Sequence, residues 1–133
     1  MSWAGAEHSI RTVATVLIVD DEAPIRDLLE LVLQDLGHRV VTAINGQHAL
    51  TLAAREHPDL VISDVMMPVM GGIELTRRLK AREAGAQPPP IILMSAAAAP
   101  SFAVDGAAAD AFIEKPFALE TMEKLVDRWL SSD

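Results

Sequence analysis

The chain has 133 residues, half of them hydrophobic and 23% charged, with no cysteine and a formal net charge of −8. That length suits one domain with a substantial core, and the acidic balance argues against autonomous nucleic-acid binding, which draws its affinity from basic groups on phosphates. Without cysteine there is no disulfide, thiolate metal site or thiol nucleophile; no stretch approaches the roughly 18 apolar residues of a membrane span, and Met1 to Ala14 lacks the basic start and apolar run of a secretory signal, so a cytoplasmic location without membrane contact is expected.

"TVLIVDD", Thr15 to Asp21, is an apolar run ending in acids. After it, "APIRDLLELVLQDLG" sets Ile25, Leu28, Leu29, Val32, Leu33 and Leu36 at helical spacing, with Gly37 as a stop. "HRVVTAI" reads as a second strand, and past Asn45-Gly46 a helical "QHALTLAAREH" turns Ala49, Leu50, Leu52 and Ala53 inward. "PDLVISD" is a third strand, and from Gly72 a third helix repeats apolar residues at Ile73, Leu75, Leu79 and Ala81. Pro88 to Pro90 break the chain before "IILMS", a fourth strand.

The pattern then weakens, because the alanine-rich segment after Ser95 contains a proline and a glycine. A short or poorly ordered helix is expected near Ser101 to Ala107. "DAFIE" makes a brief fifth strand, and "LETMEKLVDRWL" closes the chain as a helix with Leu119, Met122, Leu125, Val126, Trp129 and Leu130 on one side. Nearly all-apolar strands alternating with helices indicate an α/β domain whose parallel sheet is covered on both faces. Right-handed crossovers make it doubly wound.

In such a sheet the site lies beyond the carboxyl ends of the strands. Asp20 and Asp21 end strand one, Asp64 ends strand three, Ser95 ends strand four and Lys115 follows strand five. Three carboxylates in one pocket repel, so a counter-ion is required. With no histidine or cysteine at the strand ends, a hard, oxygen-loving dication such as magnesium fits better than zinc or copper.

This set, with the local motifs "VDD", "SDVMMPVMGG" and "KPF", resembles the receiver domain of bacterial two-component response regulators, of the single-domain, chemotaxis-regulator kind. The resemblance covers about residues 15 to 131, leaving 1–14 as a flexible leader. It implies a flavodoxin-like five-stranded sheet in the order 2-1-3-4-5. It also implies that Asp64 accepts a phosphoryl group from a histidine kinase or histidine phosphotransfer protein, as an aspartyl phosphate. Asp20, Asp21 and Asp64 would hold Mg²⁺, or Mn²⁺ in its place, with the Met66 backbone carbonyl; Lys115 and Ser95 would take phosphoryl oxygens. The Lys115-Pro116 bond would be cis, as it usually is in receivers. Phosphorylation would draw the Ser95 loop inward and let Phe112 turn in, switching contacts with a downstream protein that the sequence does not identify. The departure from the family is Ala96 to Ala109, where relatives carry a well-formed, charged helix; a mobile segment is expected here. No output domain falls within these residues.

Blander readings stand beside these. Taken alone, Asp20 and Asp21 read equally well as helix caps, Lys115 as a solvated surface lysine and Ser95 as a strand end. Met66, Met67, Met70 and Met94 read as adaptable apolar filler, and His8, His38, His48 and His57 as surface or packing residues. A phosphohydrolase of the haloacid dehalogenase type also forms an aspartyl phosphate, but it wants its nucleophile on strand one with a second acid two positions later, and Asp20 is followed there by Glu22. A flavodoxin-like electron carrier is disfavoured because no Ser/Thr/Gly-rich phosphate loop follows strand one.

Overall fold

The computed structural model describes residues 13–81, 87–96 and 109–131. Five strands, β1 (Thr15–Val19), β2 (Arg39–Ala43), β3 (Leu60–Asp64), β4 (Ile91–Ser95) and β5 (Ala111–Glu114), form one sheet in the order β2-β1-β3-β4-β5. Every pairing is parallel, which demands crossovers over the sheet faces. Those described are α1 (Ala23–Asp35), α2 (Gly46–Glu56) and α3 (Gly72–Lys80), and α4 (Leu119–Leu130) follows β5. The helix expected near Ser101 to Ala107, most of the segment expected to be mobile, and residues 1–12 of the leader lie outside the described residues. Among the described residues no helix is long and apolar enough to cross a membrane.

The strand period of two divides the core into two layers. Leu17, Val19, Val61, Ile91 and Leu93 face one way and pack with Ala49 and Ala53 of α2 and Leu75 and Leu79 of α3. Val16, Ile18, Leu60, Ile62, Ile92 and Met94 face the other way, against Leu29 and Leu33 of α1 and Met122 and Val126 of α4. Truncating a fully buried leucine such as Leu29 in such a layer costs about 2–5 kcal/mol.

Local chemistry sets the helix ends. Past α1, Gly37 adopts φ 97°, and the His38 N–H donates to Leu33 O at 3.0 Å while the Gly37 N–H donates to Gln34 O at 2.9 Å, the paired bonds of a Schellman stop. The Asn45 side chain caps α2 by accepting from the His48 N–H at 2.8 Å. α3 is shorter than its apolar pattern suggests: it ends at Lys80, and Ala81 is exposed rather than inward. A lone alanine buries too little surface to extend a helix. The first buried residue among those described is Ala14, which donates its N–H to His38 Nδ1 at 3.4 Å.

Candidate functional site

Beyond Val19 the chain leaves the sheet, and Asp20 is the first residue past β1. It is fully buried, an unusual place for a carboxylate unless its oxygens are engaged. Its Oδ1 accepts from the Glu22 N–H at 2.9 Å and its Oδ2 from Lys115 Nζ at 3.1 Å. Its N–H donates to Ala43 O at 3.2 Å, and its carbonyl accepts from Arg26 Nη1 at 2.7 Å. Asp21, next in the chain, is exposed. The capping reading is not met: the N-cap of α1 is Glu22, which makes no side-chain cap bond, and the Asp20 bond to the Glu22 N–H closes the turn before the helix.

Asp64 is the last residue of β3, buried, and registered opposite Met94 of β4. Its Oδ1 lies 3.1 Å from Lys115 Nζ, so one ammonium bridges Asp64 and Asp20. Ser95 is buried at the end of β4, and its carbonyl accepts from the Lys115 N–H at 2.6 Å. The Lys115–Pro116 peptide is cis. Carboxylate oxygens of Asp20, Asp21 and Asp64 lie within 4.8 Å of one another, and among the described residues this is the one group of three or more such side chains placed so that they could hold a metal ion.

The turn after Asp64 is closed by the Gly72 N–H donating to Val65 O at 2.9 Å, and docked on α2 by the Gly46 N–H donating to Met70 O at 2.9 Å. A Cβ at Gly72 would drive into the Asp64 carbonyl, and one at Gly46 would meet Met70 at 2.7 Å. Glycine at these two positions lets the chain pass close enough to hold Asp64 in place. Between them Val69 sits at φ 71°, with the Met70 N–H donating to Pro68 O at 2.7 Å, the three-residue turn that a β-branched residue adopts only under strain. Met70 and Met94 are buried filler, but Met66 is 76% exposed and fills nothing. Phe112, opposite Leu93 on β5, is half-buried against the layer that holds α2 and α3.

Burial pushes the Asp64 carboxyl up; Lys115 pulls it back, Asp20 and Asp21 push it further, and the balance stays above the ordinary carboxylate range. For Lys115, burial pulls the ammonium down, but its hydrogen bonds to Asp64 and Asp20 outweigh this and hold it above its usual value. Two of the three carboxylates therefore share one lysine and Asp21 adds a further negative charge beside them, and each uncompensated pair costs about 1 kcal/mol at 4 Å in water or about 4 at an effective dielectric near 20. All-oxygen donors with surplus negative charge suit a hard dication that keeps part of its water shell, so the residues present fit magnesium.

Sequence reading missed Arg26 as a neighbour of this cluster. The histidines behave as packing and surface residues where described: His38 is buried against Ala14, His48 Nδ1 accepts from the Ile44 N–H, and His57 ends α2 at φ 49°.

The sequence model of the response regulator receiver domain matches residues 16–127. The phosphate regulon transcriptional regulatory protein PhoB of Pseudomonas aeruginosa is 41% identical over 105 residues, 77% of this chain and 45% of PhoB. This chain spans less than half the length of the curated relatives it matches. Among solved structures, the chemotaxis response regulator CheY4 of Vibrio cholerae superposes with a TM-score of 0.80 at 35% identity, covering 88% of this chain and 98% of CheY4. The receiver domain of the sensor histidine kinase PA1611 of Pseudomonas aeruginosa, solved with a magnesium ion coordinated in its active site cleft, gives 0.80 at 28% identity over 91% of this chain and 100% of that one.

Proposed function

The chain belongs to the receiver domain family of two-component response regulators, and from that premise we propose that Asp64 is its phosphoacceptor. The observation that carries the proposal is the single ammonium of Lys115, 3.1 Å from both Asp20 and Asp64, with Asp21 completing the acidic group.

Asp64, fixed by β3 and by the glycine-tight turn behind it, attacks the phosphorus of a phosphohistidine on a histidine kinase or phosphotransfer protein. An Oδ–P bond forms, the P–N bond breaks, and the electron pair leaves with the donor imidazole, which takes up a proton. Asp20, Asp21 and Asp64, with the Met66 backbone carbonyl, would hold Mg²⁺, or Mn²⁺ in its place. When bound, the ion neutralises charge on the carboxylates and on the phosphoryl oxygens. Lys115 turns its ammonium from the carboxylates to a phosphoryl oxygen, and the Ser95 hydroxyl donates to another. Positioning and charge neutralisation suffice for this chemistry, because the phosphodonor brings the energy. The domain thereby catalyses its own phosphorylation and, with water as attacking group, its dephosphorylation.

Output follows as a population shift. Movement of the Ser95 loop toward the phosphoryl group makes room for Phe112 to bury further, which changes the face offered to a downstream protein. The setting is cytoplasmic phosphorelay signalling, with residues 15–131 acting as the receiver and without direct contact to nucleic acid.

Incubation with Mg²⁺ and acetyl phosphate, followed by intact mass, tests the proposal. One labile phosphoryl group is expected, abolished by chelation and by Asp64→Asn. A catalytic excess of phosphate release without a phosphoprotein would point to a hydrolase instead.

A further inference from the structure

Asp20 is fully buried, and all four of its polar groups are engaged: its N–H by Ala43 O, Oδ1 by the Glu22 N–H, Oδ2 by Lys115 Nζ and its carbonyl by Arg26 Nη1 at 2.7 Å. The first two bonds come from the sheet and from the start of α1. The bond from Lys115 is shared with Asp64, and a dication held by these acids would compete with it. Arg26, the fourth residue of α1, is different. Its half-buried side chain turns back from the helix to the main-chain carbonyl of the acid rather than to its carboxylate.

We infer that Arg26 is a positioning residue of the cation site: it clamps the Asp20 backbone so that the carboxylate keeps its aim when the ion competes with Lys115. The inference rests on the reading of the acids as a magnesium site. Two effects of the guanidinium oppose each other. Its permanent positive charge repels an incoming dication, whereas its hydrogen bond fixes a ligand before the ion arrives, and such supporting contacts are typically worth 10–100-fold in metal affinity. The short, part-buried bond to the backbone of the fully buried Asp20 favours positioning, so loss of Arg26 weakens Mg²⁺ binding even though it removes a repelling charge.

The test is Mg²⁺ affinity by titration calorimetry at fixed ionic strength, beside melting of the metal-free proteins. Arg26→Met is expected to bind about tenfold more weakly than wild type. Arg26→Lys, with the charge and a donor on a shorter arm, falls between the two. Arg77→Met, which alters an exposed α3 residue paired with Glu74, binds as wild type does. Affinity in Arg26→Met equal to or tighter than wild type overturns the inference, whatever happens to its melting temperature. Should Arg26→Met fail to fold, nitrogen-15 spectra of the wild type decide: the Arg26 Nε–H and Asp21 amide signals move with Mg²⁺ at one midpoint, and an Arg26 signal that stays in place overturns the inference. A wild type that binds no Mg²⁺ overturns the site reading itself, an outcome distinct from wild-type binding that Arg26 does not influence.

Discussion

Two lysine–aspartate junctions sit at opposite edges of the same sheet, and they differ in how completely charge is matched. At the amino edge, Asp110 meets Lys80 Nζ at 2.7 Å and accepts the Ile91 N–H at 2.7 Å, while its own N–H donates to Ile91 O at 2.9 Å. One acid meets one base, with a backbone donor besides, and the junction ties the end of α3 to the starts of β4 and β5. At the carboxyl edge one lysine serves Asp20 and Asp64 with Asp21 close by, and the Asp64 carboxyl is held above its ordinary range by burial. A matched pair is a structural tie, whereas a mismatched cluster leaves a demand for positive charge that a dication can meet.

Substitutions at the two edges should therefore part company. The largest effect is expected from Lys115→Ala, which removes the donor aimed at the phosphoryl group: phosphorylation by acetyl phosphate slows about a hundredfold, read from the time course of intact mass. Next comes Asp110→Asn, which breaks the Lys80 pair and weakens the acceptor for the Ile91 N–H. It should lower unfolding free energy by about 1–3 kcal/mol in denaturant melts and leave phosphorylation unchanged.

Asp64→Asn should do the reverse in the metal-free protein, raising stability modestly because a buried, repelled charge is removed. The folded Asp64 carboxyl lies above its unfolded value, so its ionisation costs stability as the pH rises through that range. The advantage of Asp64→Asn accordingly shrinks on acidification, when wild-type Asp64 is protonated. Equal melting of the two proteins at neutral pH would blur the contrast between the edges.

The smallest effect is expected at the exposed pair Arg39–Glu56, 2.7 Å apart. The Arg39 hydrogen bond and charge hold the Glu56 carboxyl below its usual range. Because the folded value lies under the unfolded one, this stabilisation is present above the ordinary carboxyl range and is lost as the pH falls through the folded value. Glu56→Gln should thus melt slightly below wild type at neutral pH, coincide with it in acid, and lose the difference in high salt.

The alternation of strands and helices was legible because buried parallel strands are apolar throughout and each helix shows a core stripe: Leu29 with Leu33, Leu75 with Leu79, Met122 with Val126. The strand order came through the family resemblance, since no local pattern says that β3 lies beside β1. Carboxyl-edge geometry made Asp20, Asp64 and Lys115 readable as neighbours. Arg26 was not readable, because a helix arginine that bends back onto a carbonyl looks in sequence like any solvated one. The junction between Lys80 and Asp110 spans 30 positions and leaves no local signal either. Met66 misled for a related reason: a methionine's composition suggests core, but the turn after Asp64 aims its side chain outward.

The central claim, that unmatched charge at the carboxyl edge is a cation site, is tested most directly by titrating Mg²⁺ calorimetrically into wild type, Asp20→Asn and Asp110→Asn. One ion should bind wild type and Asp110→Asn with the same affinity, and Asp20→Asn should bind it at least tenfold more weakly. Indifference of the wild type to Mg²⁺, or equal binding by all three proteins, would contradict the account.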